Sequence, residues 1–267
     1  MLTYLSTSTH PDIAFAVHQC AHFCTKPKRC HELAVGHIVH YLKGTKHCGY
    51  ILRPSSEHRN LDCYVDADFA GLWSPSSSHD PISIKSRTGY VISFASCPVL
   101  WSSKLQTEIA LSTTEAEYIA MSQASRDLIP MWDLLIEFSK ATKLIVGDTL
   151  AHSTIFEDNK GCVDLASAPK LRPCTKHIAL KYHHFRTHVA NAFIKIQWID
   201  SKNQLADIFT KPLLAPLFEY LCYHLLGWWL SNQRECWSVD CTAQTAPYCN
   251  TSWTAMRLIF QRAQWKT

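Results

Sequence analysis

Apolar residues pass through three regimes along this chain, and each predicts a different kind of structure. Between residues 11 and 43 the spacing is helical. Ile13, Ala16, Val17, Cys20 and Phe23 recur at helical steps, and Pro11 suits a first helical turn. The basic run Lys26-Pro27-Lys28-Arg29 breaks the pattern. Leu33, Val35, Ile38, Val39 and Leu42 then predict a second helix ending near Gly44. From about residue 61 short apolar runs take over. Cys63 and Val65 predict a strand, followed by a Ser-rich polar loop from Ser74 to Asp80. Gly89 to Phe94 and Val99-Leu100-Trp101 predict two more strands, with Cys97-Pro98 marking the turn between them.

Ser112 opens the longest helical pattern. Ala116, Ile119, Ala120, Ala124, Leu128, Trp132, Leu135 and Ile136 share one side, and Pro130 is expected to kink or split it. Strands over Thr154-Ile155-Phe156 and Phe193 to Ile199 follow, with helices predicted over 159–166, 175–190 and from about Asn203. A hairpin meander followed by alternating units implies a mixed α/β sheet with helices on both faces. From Cys222 to Thr267 the third regime has no period: tryptophans and cysteines are scattered, and the segment reads as a poorly specified tail.

Composition changes this picture little. The chain has 267 residues, of which 47% are hydrophobic and 18% charged, enough for a sizeable core. A net charge of +4 neither requires nor excludes a nucleic-acid partner. Twelve cysteines form no paired C-x-x-C knuckles. No secretory leader is visible at Met1-Leu2-Thr3-Tyr4-Leu5, so free thiols and an intracellular location, in a cytoplasmic particle or the nucleus, are expected. No apolar run reaches membrane-spanning length, and no membrane partner is expected.

The candidate chemistry lies in acids at the ends of predicted elements. Asp66 and Asp158 each follow a strand; Glu115 belongs to the first turns of the long helix; Asp207 follows the last strand. Singly, each has a plain structural role. Asp66 and Asp68 can end a strand, Ser112 and Glu115 match a capping box, Asp158 can cap the next helix, and Asp207 can be a surface acid. Jointly they suggest a site. If the strands of Asp66 and Asp158 are neighbours, both carboxylates reach the same rim. Hard divalent ions take such oxygen ligands, and two of them can support phosphodiester hydrolysis.

An ordered series of motifs runs through these acids. It comprises Tyr64-Val65-Asp66-Ala67-Asp68-Phe69-Ala70-Gly71, Ser86-Arg87-Thr88-Gly89-Tyr90-Val91 and Trp101-Ser102-Ser103-Lys104-Leu105-Gln106. It continues with Leu111-Ser112-Thr113-Thr114-Glu115-Ala116-Glu117-Tyr118, Asp158-Asn159, Thr175-Lys176-His177-Ile178 and Gln204-Leu205-Ala206-Asp207-Ile208-Phe209-Thr210-Lys211-Pro212-Leu213. This series resembles the ribonuclease H domain of copia-type LTR retrotransposon Pol polyproteins, over about residues 61–213. Residues 1–50, with Thr9-His10-Pro11-Asp12-Ile13-Ala14-Phe15-Ala16-Val17, resemble the end of the preceding reverse transcriptase segment.

The resemblance implies a ribonuclease H-like mixed sheet flanked by helices, with an N-terminal helical extension. It implies an endonuclease cutting RNA in RNA–DNA hybrids with Mg²⁺ (or Mn²⁺), working as part of a larger Pol polyprotein. Position by position, Asp66, Glu115, Asp158 and Asp207 become the catalytic metal ligands. Glu117 lies about 200° round the helix from Glu115 and is expected to point elsewhere. The family usually has Trp where Phe69 stands and an acid where Ala179 stands. The paired aspartates of a polymerase site are absent, so no polymerisation is expected.

Other features carry weaker chemistry. His177, His184 and His188 share a face of the helix predicted over 175–190, with Lys176, Lys181 and Arg186 nearby. A phosphate-facing surface competes there with a plain solvated helix and, more remotely, a zinc site. Lys26, Lys28, Arg29 and His31 form a second basic cluster. Two rival readings stand beside the nuclease. One is a catalytically inactive nucleic-acid-binding remnant of a decayed retroelement. The other is a transposase or integrase core on the same fold, where three acids are typical.

Overall fold

The computed structural model describes residues 1–55, 60–73, 75, 81–142, 153–168 and 180–228. In chain order the helices and strands are α1 (Leu2–Ser8), α2 (Ala14–Ala21), α3 (Arg29–Gly44), β1 (Leu61–Asp68), α4 (Pro81–Ile84), β2 (Arg87–Phe94) and β3 (Cys97–Leu105). Then come α5 (Thr113–Thr142), β4 (Ser153–Glu157), α6 (Lys160–Ser167), α7 (Arg186–Ala190), β5 (Ile194–Trp198), α8 (Asp207–Thr210) and α9 (Ala215–Leu226). They belong to two compact units. One comprises Met1–Leu52, Trp73–Ser83 and Lys211–Thr267; the other comprises Arg53–Leu72 and Ile84–Thr210.

The second unit is built on a five-stranded sheet of order β3-β2-β1-β4-β5. β1, β2 and β3 form an antiparallel meander, and β4 and β5 run parallel to β1. This is the ribonuclease H-like mixed sheet implied by the motif series. Alternation along β1 sorts its two faces. Leu61, Cys63, Val65 and Ala67 join Tyr90, Ile92 and Ile155 in a core closed by Ala116, Ile119, Ala120, Ala124 and Leu128 of α5. Cys162, Leu165 and Ala166 of α6, with Tyr182 and Phe185, complete it.

The opposite face carries Asp66, paired in register with Gly89, and there α8 lies on the sheet. A Cβ on Gly89 would sit 2.5 Å from Thr210 Cγ2 and 2.7 Å from Phe209 Cβ. Glycine at this position is what lets α8 approach so closely. Gln204 Nε2, fully buried, donates to the Val65 carbonyl (2.8 Å) and ties the segment before α8 to β1.

Several sequence expectations shift. The β2–β3 turn falls at Ala95 and Ser96, whose φ values of 52° and 66° fit a two-residue hairpin of the I′ kind. Cys97-Pro98 instead opens β3, an edge strand, where a register irregularity opposite Ile92/Ser93 accommodates the proline. α5 runs on through Pro130 for 30 residues. The proline removes a single backbone donor, and its neighbours keep the helix. Of the helix predicted over 175–190, the described part is a 3₁₀ turn, Leu180–His183, followed by α7. His177 and Lys176 lie outside the described residues, as does most of the polar loop 74–80.

Among the described residues the first unit is built of helices, as the opening pattern predicts. Ile13, Ala16, Val17, Ala34 and Ile38 are all buried, and Tyr41 OH donates to the buried Asp12 Oδ2 (2.6 Å). α9 belongs here and is absent from the sequence reading. Phe218, Leu221, Cys222 and Leu225 are buried, and Tyr41 meets Phe218 edge-on with centroids 6.1 Å apart. Gly227 ends α9 in the left-handed region at φ 74°, beside Ile51, whose N–H donates to Leu226 O (3.0 Å). Residues 222–226 of the expected tail are therefore helix; residues 229–267 lie outside the described residues.

Among the described residues no helix is long and apolar enough to cross a membrane. Cys20, Cys63, Cys97, Cys162 and Cys222 are buried thiols without disulfides. Burial pushes the Cys20 thiol up to about 12, with Cys24 adding to it.

Candidate metal centre

Parallel pairing places Tyr64 of β1 opposite Phe156 of β4, with their rings stacked at 4.7 Å. Two residues further on, the same direction carries Asp66 and Asp158 to one rim of the sheet. Glu117 joins them from the first turns of α5. Each of the three offers a carboxylate oxygen, and these oxygens lie within 4.8 Å of one another. It is the set among the described residues whose acidic, Cys or His atoms converge in this way. Asp66 and Glu117 are buried and Asp158 is half-buried.

Glu115 lies outside this group of three. Its Oε2 accepts from Leu111 N–H (2.8 Å), while its own N–H donates to Ser112 Oγ (3.1 Å). Both interactions serve the start of α5, which is what the capping pattern Ser112-x-x-Glu115 suggests. The helical-wheel expectation that Glu117 points away from the acids does not hold. Glu115 and Glu117 are both buried, at 8% and 6% exposure, one turned into the helix start and the other into the acidic group.

Asp207 opens α8 and lies outside the group of three. Its helix nevertheless reaches the site. Thr210, one turn further on, hydrogen-bonds through Oγ1 to Asp66 Oδ2 and also to the Asp207 carbonyl (3.3 Å). Asp158 is held from the other side of the rim. Ser201 Oγ donates to Asp158 Oδ2 (2.6 Å), and Trp198 Nε1 donates to the Asp158 carbonyl (2.9 Å). Asn159 caps α6, its Oδ1 accepting from Cys162 N–H (3.2 Å).

The sequence reading missed a further acid, Glu157, which is fully buried behind this rim. Its Oε1 accepts from Asn159 N–H (3.1 Å). Burial pushes its carboxyl well above the usual carboxylate range, and the charges of Asp66 and Asp158 push the same way. Its position as the last residue of β4, on the core side by alternation with Ile155, is the signal that marks it. Negative potential concentrates here, since Cys162 is raised by burial and then by Glu157, Glu117 and Asp158.

Of the basic residues weighed for a phosphate-facing surface near α7, Lys176 and His177 lie outside the described residues. Arg186 turns inward and donates to the Leu165 carbonyl (2.8 Å) and the Ala168 carbonyl, at the C-terminal end of α6. A cation there satisfies carbonyls that the helix leaves unpaired. His184 lies in the turn between the 3₁₀ segment and α7, whereas His188 is in α7, so the described residues offer no single helical face for them.

The fold and the rim of acids define a ribonuclease H-like domain. No family model matches the chain. It is 35% identical over 226 residues to the "Retrovirus-related Pol polyprotein from transposon TNT 1-94" of Nicotiana tabacum, an alignment covering 85% of this chain and 16% of that protein. It is 33% identical over 219 residues to the corresponding polyprotein from transposon RE2 of Arabidopsis thaliana, covering 82% of this chain and 14% of the relative. The chain belongs to the retrovirus-related Pol polyproteins of copia-type transposons. It spans only 14–16% of the length of these relatives. Among solved structures, the N-terminal RNase H domain of Rv2228c from Mycobacterium tuberculosis aligns at 14% identity and a TM-score of 0.38, over 61% of this chain and 96% of that one.

Proposed function

We propose that this chain is a divalent-metal-dependent endonuclease of the ribonuclease H type, cutting the RNA strand of RNA–DNA hybrids as one segment of a Pol polyprotein. The observation that carries the reading is the convergence of Asp66, Glu117 and Asp158 at one rim of the sheet. Three carboxylates at this spacing repel one another unless a cation offsets them, and an all-oxygen donor set suits Mg²⁺ or Mn²⁺. The residues present therefore fit such ions. Asp66, Glu117 and Asp158 hold them, with Asp207 as a fourth ligand from α8. Glu115 keeps its capping role.

When bound, divalent cations supply the charge that makes water a nucleophile near neutral pH and stabilises the leaving oxygen of a phosphodiester. The chain's own residues prepare the site. Thr210 orients Asp66, and Gln204 fixes the backbone from which Asp207 projects. Selection of RNA over DNA is assigned to contacts with 2′-hydroxyls, the group that distinguishes the two strands. The site belongs to an intracellular polyprotein.

The test uses the full chain with Mg²⁺ and three labelled substrates: an RNA–DNA hybrid, duplex RNA and duplex DNA. Cleavage confined to the RNA of the hybrid, and lost in Asp66→Asn, is expected. Binding of the hybrid without metal-dependent turnover replaces the enzyme with a binding remnant. Preference for duplex DNA ends moves the chain to the transposase or integrase class.

A further inference from the structure

Asp158 lies one residue beyond β4, where the sheet ladder no longer fixes the backbone. Four hydrogen bonds take over from it. Ile199 N–H donates to the Glu157 carbonyl (3.0 Å), and Asn159 N–H donates to Glu157 Oε1 (3.1 Å). Trp198 Nε1–H donates to the Asp158 carbonyl (2.9 Å), and Ser201 Oγ donates to Asp158 Oδ2 (2.6 Å). The first two fix the peptides on either side. The last two fix Asp158 itself, one at its backbone and one at its carboxylate.

We propose that Trp198 and Ser201 are positioning residues for Asp158, and that they set how tightly the acidic rim holds a divalent cation. The inference rests on the reading of Asp66, Glu117 and Asp158 as a cation site. Both donors come from the short stretch where β5 ends and a 3₁₀ turn begins at Ser201. That turn is itself held, because Asp200 Oδ1 accepts from Lys202 N–H (3.0 Å). On the other side Lys160 Nζ stands 4.7 Å from the centre of the Trp198 ring, bracing the indole by a cation–π contact.

The physical argument is one of order before binding. A half-buried aspartate at a strand end can turn about χ1 and χ2, and a cation that captures it must stop that motion. A hydroxyl donor on Oδ2 stops it in advance. Removing groups that orient a metal ligand in this way typically weakens metal affinity by about 10–100-fold. Ser201 is exposed, so the lower end applies, roughly 10-fold.

The experiment measures Mn²⁺ binding to the full chain by isothermal titration calorimetry, with the spin signal of bound Mn²⁺ as a second readout. Ser201→Ala is expected to raise the Kd about 10-fold. Ser201→Thr, which restores the hydroxyl, returns it close to the parent value. Trp198→Phe keeps a ring and loses the donor, and shifts affinity in the same direction by less. Asp66→Asn abolishes binding and serves as the control. A parent chain that binds Mn²⁺ while Ser201→Ala binds it equally well overturns this inference alone. A parent chain that binds none overturns it together with the reading of the acids as a cation site. A loss in Ser201→Ala that Ser201→Thr does not recover also overturns it, because the hydroxyl would then not be the agent.

Discussion

The two glutamates at the start of α5 should separate cleanly when each is neutralised. In Glu117→Gln the side chain keeps its size and loses its charge within 4.8 Å of carboxylate oxygens of Asp66 and Asp158. Two unit charges about 4 Å apart interact by about 4 kcal/mol at an effective dielectric of about 20. Removing one of the charges that face a divalent cation therefore costs at least ~3 kcal/mol of its binding, or about 100-fold in affinity. Without cation the sign reverses. The substitution relieves repulsion among the three acids, so the metal-free protein should melt no lower than the parent. Glu115→Ala does the opposite. It removes the acceptor for Leu111 N–H, a loss of about 1 kcal/mol typical of a helix cap, and so lowers Tm by about 2–4 °C. The acids at the rim keep their charge. Initial rates on an RNA–DNA hybrid across a Mg²⁺ series, with calorimetric melts with and without cation, measure both effects. Glu117→Gln should be inactive at ordinary Mg²⁺ and stable; Glu115→Ala should be active and less stable. The reverse pattern refutes the assignment of Glu117 to the site and returns Glu115 to it.

Gly89→Ala should cost about 1–3 kcal/mol and depress hybrid cleavage, because its Cβ would sit 2.5 Å from Thr210 Cγ2 and 3.1 Å from the Ala206 carbonyl. Chemical denaturation and cleavage rates check it, and a fully active, equally stable variant contradicts the close seat of α8. Glu157 gives a pH signature. Its folded carboxyl binds a proton more tightly than in the unfolded chain, so it detracts from stability as pH rises above the ordinary glutamate range. Melts without divalent cation should show Glu157→Gln gaining on the parent as pH is raised from about 4 to about 8; a constant difference would count against the upward shift of the Glu157 carboxyl. In the helical unit, Tyr41→Phe removes the donor to the buried Asp12 and should cost about 1–3 kcal/mol, read as a lower denaturation midpoint.

How far the sequence reveals this site depends on which forces place each residue. Asp66 and Asp158 are legible because both close short apolar runs, Asp66 within the end of β1 and Asp158 one residue past β4, and parallel pairing with Tyr64 opposite Phe156 carries them to one rim. Glu115 and Glu117 are not separable by periodicity. The first turns of α5 are buried all round, from Glu115 through Ser122, so the helix has no solvent side against which to set a wheel. The capping pattern at Ser112 held the answer. A glutamate committed to the helix start leaves its neighbour two residues on for the rim. The α9 helix went unread, although Phe218, Leu221, Cys222 and Leu225 stand at helical spacing between Pro216 and the left-handed Gly227.

What periodicity does not carry is the set of side-chain bonds between distant segments. Gln204 to Val65, Thr210 to Asp66, Ser201 to Asp158 and Arg186 to the end of α6 each join one polar side chain to a target far along the chain. None leaves a repeat in the sequence, because each depends on where the sheet brings two segments together. Yet these bonds decide where the acids point. A chain could keep all of its rim carboxylates and lose Thr210 or Ser201, and still read in one dimension as the same domain. The acids give the rim its charge, while the polar contacts from 198–210 give it geometry, so substitutions in that short segment should alter cation affinity before they alter the fold.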